Sequence, residues 1–439
     1  MIEPGTLPGM SSTPDIHLNL NVRGLPPSST VAINERCNEL RAAGRDVIKL
    51  GLGQSPFPVP EPVVESLRQH AHEKDYLPVR GLRALRDAVA HFHLRRDGVQ
   101  RTGDDVLIGP GSKELMFLLQ LSFYGDLVIP TPAWVSYAPQ ARIIGRRVVL
   151  VDTEAQDDWR LAPERLEAMC RTDPGRPRIV IINYPANPTG GTYSPQQLQA
   201  LAKVAADNKL LMLSDEIYGE LHHTGDHVSL ARYYPEGTII SSGLSKWCGA
   251  GGWRLGTFLF PPQMRWLLDA MAAAASETYT STSAPIQYAA VTAFDGQPQI
   301  ETYLQRSRRI LAAAGRWCHA KLVAAGAHCV APAGAFYLLP DFSPLRQTLA
   351  ARGITTSLQL TERLLDETGV AILPGQDFGR DPSELTARLA YVDFDGAAAL
   401  AAVAELPDEA TPDEAFVRRY LPRVTDGIER MCDWVGRTG

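Results

Sequence analysis

Residues 245–256 read Ser-Lys-Trp-Cys-Gly-Ala-Gly-Gly-Trp-Arg-Leu-Gly and place one lysine and one arginine among small and aromatic residues. An apolar pocket disfavours the ammonium form, so the amine of Lys246 can lose its charge and attack an aldehyde to form a Schiff base. Arg254 follows eight residues later and offers a fixed cation that suits a phosphate. The stretch therefore predicts a ligand with an aldehyde and a phosphate, although an ordinary surface turn can have the same composition.

The composition is typical of a globular protein with more than one hydrophobic core. The chain has 439 residues, a net charge of −6 and no basic stripe, so we expect no nucleic-acid partner. No apolar run approaches the ~20 residues that span a membrane, and we expect neither membrane binding nor a secretory signal. The six cysteines are scattered without metal-ligand spacing, which favours reduced thiols, no metal and a cytoplasmic location.

Short apolar segments alternate with helical periodicity through the middle of the chain. Strands are expected at 106–108, 127–129, 147–151, 178–183, 210–214, 238–241 and 257–260. Helices are expected at 61–72, 82–95, 112–121, 195–207 and 263–276. This alternation predicts an α/β fold whose large domain has a mostly parallel sheet covered by helices.

The pattern changes near residue 299 and predicts a second, smaller α+β domain. A long helix at 299–325 precedes short strands near 336–339, 370–373 and 388–392 and a final helix at 413–435. The N-terminal segment, with a helix at 30–43, is expected to pack with this domain. The predicted division is 1–50 for an N-terminal arm and part of the small domain, 51–300 for the large cofactor-binding domain, and 301–439 for the small C-terminal domain.

Polar residues follow several predicted strands, at the edge where open parallel sheets bind ligands. Asp215 is suited to keep a pyridine nitrogen protonated, and Tyr218 and Asn187 are suited to bind a ring oxygen. Each also has a structural interpretation, as a helix N-cap, a buried tyrosine and an Asn-Pro turn respectively. Together with Lys246 and Arg254, these residues predict pyridoxal phosphate as the cofactor.

Three further features fit the same ligand. The turn at 111–113 opens a helix and forms an anion site, or is a simple helix start. Trp134 can stack on a ring or belong to the core. Arg388 can form a bidentate pair with a substrate carboxylate, whereas an arginine is otherwise expected at the surface.

Residues 27–395 resemble the class I and II aminotransferases. The resemblance is carried by Asn-Pro-Thr-Gly (187–190), Ser-Asp-Glu-Ile-Tyr (214–218), the 245–256 stretch, Gly-Ala-Phe-Tyr (334–337) and Pro-Gly-x-x-Phe-Gly (374–379). It implies a transaminase that uses pyridoxal phosphate to move an amino group between an L-amino acid and a 2-oxo acid by a ping-pong mechanism. Segment 27–34 and Lys113 resemble the bacterial aspartate or prephenate branch, in which this lysine helps to select acidic substrates.

The resemblance also implies a role for each cofactor-binding residue. Lys246 forms the Schiff base and carries the proton, Asp215 pairs with the pyridine nitrogen, and Asn187 and Tyr218 hold the ring oxygen. Trp134 lies on the ring. The phosphate is surrounded by Gly111, Ser112, Lys113, Ser245 and Arg254.

The substrate site and the oligomeric state follow from the same resemblance. Arg388 binds the α-carboxylate, helped by Asn187 and the backbone of Gly53. Tyr76 matches a family tyrosine that reaches the phosphate of the neighbouring subunit, which implies a homodimer with shared active sites. The walls of the side-chain pocket are expected near Ile33, Ser55, Tyr137 and Thr280.

Two departures and two alternative functions accompany this resemblance. Gly243 replaces a serine found in some members, so the phosphate is expected to depend more on Arg254 and the 111–113 turn. Pro26 replaces a basic residue of the branch, which weighs against a strict dicarboxylate preference. The shared core residues leave a lyase, an oxidase or a cyclase that uses pyridoxal phosphate as alternatives. A non-catalytic regulator that binds the cofactor is disfavoured because no helix-turn-helix pattern precedes the resemblance.

Overall fold

The predicted strands of the large domain lie side by side in a computed structural model, which describes residues 17–437. Residues 1–16, which hold the start of the predicted N-terminal arm, lie outside the described residues. Along residues 17–437 the strands are β1 (Ile48–Lys49), β2 (Val106–Gly109), β3 (Asp126–Thr131), β4 (Val148–Asp152), β5 (Arg178–Asn183), β6 (Leu211–Asp215), β7 (Thr238–Gly243), β8 (Gly256–Leu259), β9 (Tyr337–Leu338), β10 (Val370–Ala371), β11 (Leu373–Pro374) and β12 (Ala387–Ala390).

The helices cover the sheets and connect their strands. They are α1 (Ser29–Ala42), α2 (Glu61–His70), α3 (Arg83–Asp97), α4 (Ser112–Ser122), α5 (Tyr137–Ile143), α6 (Pro163–Thr172), α7 (Pro195–Asp207), α8 (Arg265–Ser276), α9 (Ala284–Phe294), α10 (Pro298–Ala324), α11 (Arg346–Ala351), α12 (Ser357–Thr368), α13 (Gly396–Ala404), α14 (Glu414–Tyr420) and α15 (Pro422–Val435). Within the described part of the chain, none of them has both the length and the apolar character needed to cross a membrane.

Seven strands form the large sheet, in the order β2-β8-β7-β6-β5-β3-β4. Strand β8 runs antiparallel to both of its neighbours, β2 and β7, and the other six strands share one direction. The predicted mostly parallel sheet is therefore confirmed. Because β5, β6 and β7 are parallel neighbours, the residues that follow them meet at one edge of the sheet.

Alternate side chains of the central strands pack on opposite faces of this sheet. Ile179 and Ile181 belong to the core formed with α4 and α8, whereas Val180 and Ile182 belong to the core formed with α6 and α7. Since successive side chains of a strand point to opposite faces, a strand that is covered on both sides has a continuous apolar sequence. This property made β5 recognisable in the sequence.

The smaller α+β unit combines the early and the late parts of the described chain. Strand β1 pairs in parallel with β10, and β11, β12 and β9 form an antiparallel sheet. The prediction that N- and C-terminal segments build this unit is confirmed. The domain boundaries near residues 50 and 300 stay predictions.

The C-terminal tail differs from the single helix predicted at 413–435. Helix α14 ends before Leu421, and α15 begins at Pro422. Proline lacks a backbone N–H and disfavours the helical conformation in the residue before it, which explains the break. Trp434 of α15 is buried, and its indole Nε1 donates a hydrogen bond of 2.7 Å to Glu367.

Candidate active site

A cavity of about 490 Å³ opens at the carboxyl ends of β5 and β6 and at the β7–β8 connection. Among the predicted site residues, its lining includes Gly53, Ser112, Lys113, Trp134, Asn187, Asp215, Tyr218, Ser245, Lys246, Arg254 and Arg388. Gly111 is the residue before α4 and adjoins this lining. Tyr76 lies outside the cavity and is 89% exposed. The structure therefore brings together all the predicted site residues except Tyr76.

Lys246 presents its amine to the cavity from the β7–β8 connection. Its Nζ donates a hydrogen bond of 2.8 Å to the carbonyl oxygen of Gly53 and lies 5.7 Å from the centre of the Tyr218 ring. Burial and, to a smaller extent, the positive charge of Arg388 together lower the pKa of Lys246 to about 8. An appreciable fraction of the amine is therefore neutral near neutral pH, as a nucleophile must be.

Asp215 is the last residue of β6 and is buried, at 3% exposure. The Tyr137 hydroxyl donates to its Oδ2 at 2.5 Å, and the Ser241 hydroxyl donates to its Oδ1 at 3.3 Å. Burial raises the pKa of Asp215 to about 6, and these two hydrogen bonds oppose that rise. The carboxylate is therefore mostly charged near neutral pH but more easily protonated than an exposed one, and a cationic partner would keep it charged.

Tyr218 follows β6 on the same edge and is hydrogen bonded to a second tyrosine. Its hydroxyl oxygen lies 2.8 Å from that of Tyr337, and both side chains are buried. A Cβ atom on Gly53 would collide with the Tyr337 hydroxyl. Glycine at position 53 therefore allows its own backbone to lie close to this tyrosine pair.

Three glycines let backbone segments approach one another closely beside Arg254. Gly243 and Gly256 are paired across β7 and β8, and a Cβ on Gly256 would collide with the backbone nitrogen of Ser112. Gly111 has φ 95°, a conformation that favours glycine, and a Cβ there would collide with the Arg254 guanidinium.

The guanidinium of Arg254 donates hydrogen bonds to two carbonyl oxygens, of Gly251 at 2.9 Å and of Pro110 at 3.3 Å. It lies beside the N-terminus of α4, where free backbone N–H groups attract an anion. These features and the amine of Lys246 fit the phosphate and the aldehyde of pyridoxal phosphate. The chemistry of the donors thus matches the cofactor that the sequence predicted.

Arg388 enters the cavity from β12 of the smaller unit and is 1% exposed. Its Nη1 donates to Asn187 Oδ1 at 3.1 Å, and its Nη2 donates to the carbonyl oxygen of Gly51. The guanidinium carbon lies 4.9 Å from the Tyr337 ring centre and 5.0 Å from that of Phe378. A buried cation held by neutral groups favours an incoming anion, because burial of an unpaired charge is costly.

The charges that line the cavity are unequal. Among the described residues that line it, the cationic side chains are Lys113, Lys246, Arg254 and Arg388, and the one acidic side chain is Asp215. The Nζ of Lys113 lies 5.1 Å from the centre of the Trp134 ring. Burial lowers the pKa of Lys113, and the charge of Arg254 adds to this effect. The cavity is therefore suited to a ligand with several negative charges.

Some lining residues were not assigned from the sequence, and the predicted walls of the side-chain pocket are found only in part. Tyr337 belongs to the Gly-Ala-Phe-Tyr motif, which was the available signal, and it lines the cavity. Tyr137 also lines the cavity, as predicted, but its contact with Asp215 was not foreseen. Near two of the other predicted positions the lining is formed by Thr30, on the same helix as Ile33, and by Gln54, next to Ser55, whereas no described residue close to Thr280 in the sequence belongs to it.

Known proteins resemble this chain over most of its length. Residues 45–393 match the family model described as Aminotransferase class I and II. The aspartate aminotransferase of Geobacillus stearothermophilus is 35% identical over 369 residues, which cover 82% of this chain and 91% of that enzyme. The aspartate/prephenate aminotransferase of Thermus thermophilus is 33% identical over 366 residues, with the same two coverages of 82% and 91%. The structure of Thermus thermophilus aspartate aminotransferase with maleate matches with a TM-score of 0.81 and 30% identity, over 95% of this chain and 99% of that chain.

The chain belongs to the class I and II aminotransferases. It is a transaminase that depends on pyridoxal phosphate and moves an amino group between an amino acid and a 2-oxo acid. The enzyme class and the cofactor that the sequence predicted are thereby confirmed. The relatives described above are all aminotransferases, so they favour this function over a lyase, an oxidase, a cyclase or a regulator.

Proposed function

We propose that Lys246, Asp215 and Arg254 hold pyridoxal phosphate by its aldehyde, its ring nitrogen and its phosphate. The proposal is supported by their common position around one cavity and by the match between their charges and these three groups. Asn187 and Tyr218 would bind the ring oxygen, and Trp134 would lie on the ring. The remaining phosphate ligands would be Gly111, Ser112 and Ser245, together with the backbone N–H of Lys113, whose side chain is assigned to the substrate below.

Bound pyridoxal phosphate supplies an aldehyde that takes up the amino group and a ring that withdraws electrons from the substrate. Lys246 moves the proton: its neutral Nζ accepts it from the substrate Cα and later returns it. With a pKa near 8, this amine is partly neutral and still basic enough for that task. The carboxylate of Asp215 stabilises the protonated form of the ring nitrogen throughout the reaction.

Arg388 and Asn187 would orient the substrate through its α-carboxylate. Arg388 is hydrogen bonded to Asn187, so the guanidinium that receives the carboxylate is held in place before the substrate binds. The backbone of Gly53 would contact the same end of the substrate, next to Lys246. Because donor and acceptor share these groups, the first product leaves before the second substrate binds, as in a ping-pong mechanism.

The preferred substrates are proposed to be dicarboxylic amino acids and their 2-oxo acids. The observation that carries this proposal is the fourth cation of the cavity, Lys113, which remains after Lys246, Arg254 and Arg388 have been paired with the aldehyde, the phosphate and the α-carboxylate. A second substrate carboxylate would supply its counter-charge. Both sequence relatives described above are named for aspartate, and the solved structure contains maleate, which is a dicarboxylate.

The cofactor assignment is tested with Lys246→Ala in the full-length protein. We expect loss of the yellow absorbance of the lysine-bound cofactor and of amino transfer. Lys203→Ala is the matched control, because Lys203 pairs with Asp207 on the exposed face of α7. Retention of both signals in Lys246→Ala would refute the assignment.

The substrate assignment is tested with aspartate and asparagine as donors and 2-oxoglutarate as acceptor. The two donors differ in one charge, so a preference for aspartate of about tenfold or more in kcat/KM is expected from a charged hydrogen bond. Lys113→Gln should reduce this preference by lowering kcat/KM for aspartate alone. Equal use of both donors, or a preference for asparagine, would contradict the proposal.

A homodimer with shared active sites is proposed from the position of Tyr76. Its 89% exposure, in a loop outside the cavity, leaves the ring available to a second subunit. Hybrid dimers made from Lys246→Ala and Tyr76→Phe chains would contain one intact site if the sites are shared. Recovery of activity on mixing is expected, and its absence would count against sharing. The cytoplasmic location stays a prediction from the sequence.

A further inference from the structure

Tyr137 makes the shortest hydrogen bond to Asp215. It is the first residue of α5 and is 2% exposed, and its hydroxyl donates to Asp215 Oδ2 at 2.5 Å. The bond joins residues 78 positions apart in the chain. Hydrogen bonds from a hydroxyl to a carboxylate are short and about twice as strong as neutral ones.

The tyrosine ring is fixed by its neighbours on the same turn. Trp134 packs edge-on against it, with ring centres 5.2 Å apart and an interplanar angle of 85°. The N–H of Tyr137 bonds to the carbonyl oxygen of Trp134 at 3.2 Å. One short segment therefore carries both the aromatic ring proposed to lie on the cofactor and the hydroxyl that reaches Asp215.

The adjacent acid, Glu216, provides a comparison. Its Oε1 accepts hydrogen bonds from Ser214 and Ser229 at 2.7 Å and from Tyr184 at 3.3 Å, and its Oε2 is bonded to His227 at 2.9 Å. Glu216 therefore has its own set of partners. Tyr137 donates its hydrogen bond to Asp215, which is the acid that faces the cavity.

We propose that Tyr137 is a positioning residue: by holding Oδ2 of Asp215, it keeps the carboxylate ionised and turns its other oxygen toward the pyridine nitrogen. The inference rests on the proposed function, in which Asp215 pairs with that nitrogen. Tyr137 contributes to the cavity lining, but its hydroxyl is directed at Asp215 and not at the reacting atoms. It would act through Asp215, because the ring withdraws electrons well only while its nitrogen carries the proton.

The energetics of Asp215 support this role. Burial is the largest influence on its pKa and raises it to about 6, and the Tyr137 hydrogen bond is the largest opposing influence. Removing the hydroxyl makes the carboxylate more basic. In the holoenzyme the shared proton would then move from the ring nitrogen toward Asp215, and the ring would lose positive charge.

The test uses holoenzyme loaded with pyridoxal phosphate that is labelled with nitrogen-15 in its ring, with the Tyr137→Phe substitution. We expect the ring-nitrogen resonance to shift toward the unprotonated position. We expect kcat to fall about tenfold, since a hydrogen bond to a charged group contributes on that order. KM for the amino donor should change less than about twofold, because Arg388 is unaltered. An unchanged resonance and kcat would overturn the inference.

Three further variants make the outcome specific. Tyr184→Phe removes the hydroxyl that bonds to Glu216 and should leave the ring-nitrogen resonance at its parental position. Asp215→Asn should also shift that resonance, because it removes the charge that pairs with the ring nitrogen. An unchanged resonance in Asp215→Asn would refute the proposed pairing of Asp215 with the ring, which is a separate result from a failure of the role of Tyr137. If Tyr137→Phe does not fold, 3-fluorotyrosine at position 137 preserves the packing and provides a stronger donor. It should then shift the resonance toward the protonated position, and no shift would overturn the inference.

Discussion

Replacing Arg388 by alanine should weaken the binding of every amino acid that the enzyme uses. The guanidinium is buried and held by Asn187, by the Gly51 carbonyl and by the faces of Tyr337 and Phe378. Its Nε has no hydrogen-bond partner among residues 17–437. These contacts hold the charged guanidinium on the substrate side of the cavity. Alanine removes both the charge and the paired hydrogen-bond donors.

The size of the effect follows from the burial of Arg388. Truncating one partner of a buried, hydrogen-bonded charge pair costs about 2–5 kcal/mol. Each 1.4 kcal/mol is about a factor of ten, so kcat/KM should fall about thirtyfold to several thousandfold. Arg388→Lys keeps a charge but loses the planar guanidinium, so its kcat/KM should lie between the values of the parent and of Arg388→Ala.

The assay is steady-state transamination with aspartate and 2-oxoglutarate, with the absorbance of the bound cofactor recorded in parallel. The absorbance should persist, because Lys246, Asp215 and Arg254 remain. Arg380→Ala is the matched control: its side chain is 8% exposed and stacks on Trp159 at 4.8 Å, but it pairs with Glu384 outside the cavity. This control should change KM less than about twofold, within the usual effect of a residue without substrate contact.

An unchanged KM in Arg388→Ala would refute the reasoning, provided that the variant still binds the cofactor. It would mean that another cation, of which Lys113 is the available one in the cavity lining, receives the α-carboxylate. A loss of cofactor absorbance together with activity would instead indicate that Arg388 maintains the structure of the site.

Two further predictions concern the cofactor. Gly256→Ala should raise the Kd for pyridoxal phosphate about tenfold or more, in absorbance titrations, because its Cβ collides with the Ser112 backbone at the α4 N-terminus. Gly252→Ala is its control, since a Cβ there meets no atom of the described residues within 4 Å; equal Kd values for the two variants would contradict the prediction. The rate at which apoenzyme captures the cofactor should rise with pH and level off above about 8, because only neutral Lys246 attacks the aldehyde. A rate that is constant from pH 6 to 9 in stopped-flow absorbance would contradict it.

The sequence predicted the elements whose signals are local. Strand β5 agrees with the prediction at both ends, since its residues are apolar on both faces. Helix α7 also agrees, because Ser194 and Gln197 form a capping box and Pro195 occupies the first turn. The polar residues at strand ends were found for the same reason, as each directly follows a recognisable strand.

The elements and contacts that were missed depend on tertiary structure. Helix α9 contains Ala, Ile, Tyr, Val and Phe on most sides and packs against α2 and α3, so its apolar residues show little helical periodicity. The hydroxyl of Tyr137 meets Asp215 only after β3, β5 and β6 have aligned. Nothing near either residue in the sequence indicates that pairing.

The antiparallel strand β8 has a consequence for how such an enzyme can change its substrates. Gly243 and Gly256 close one hairpin that contains both Lys246 and Arg254. The spacing of the two proposed cofactor anchors is therefore set within one local stretch of chain. Arg388 lies on β12, in the other unit. Arg388 would bind the α-carboxylate that all amino acids share, whereas Lys113, proposed to select the side chain, lies on α4. Substitutions outside the hairpin, such as at Lys113, can therefore change the amino acid that is recognised while the hairpin keeps the two cofactor anchors in place.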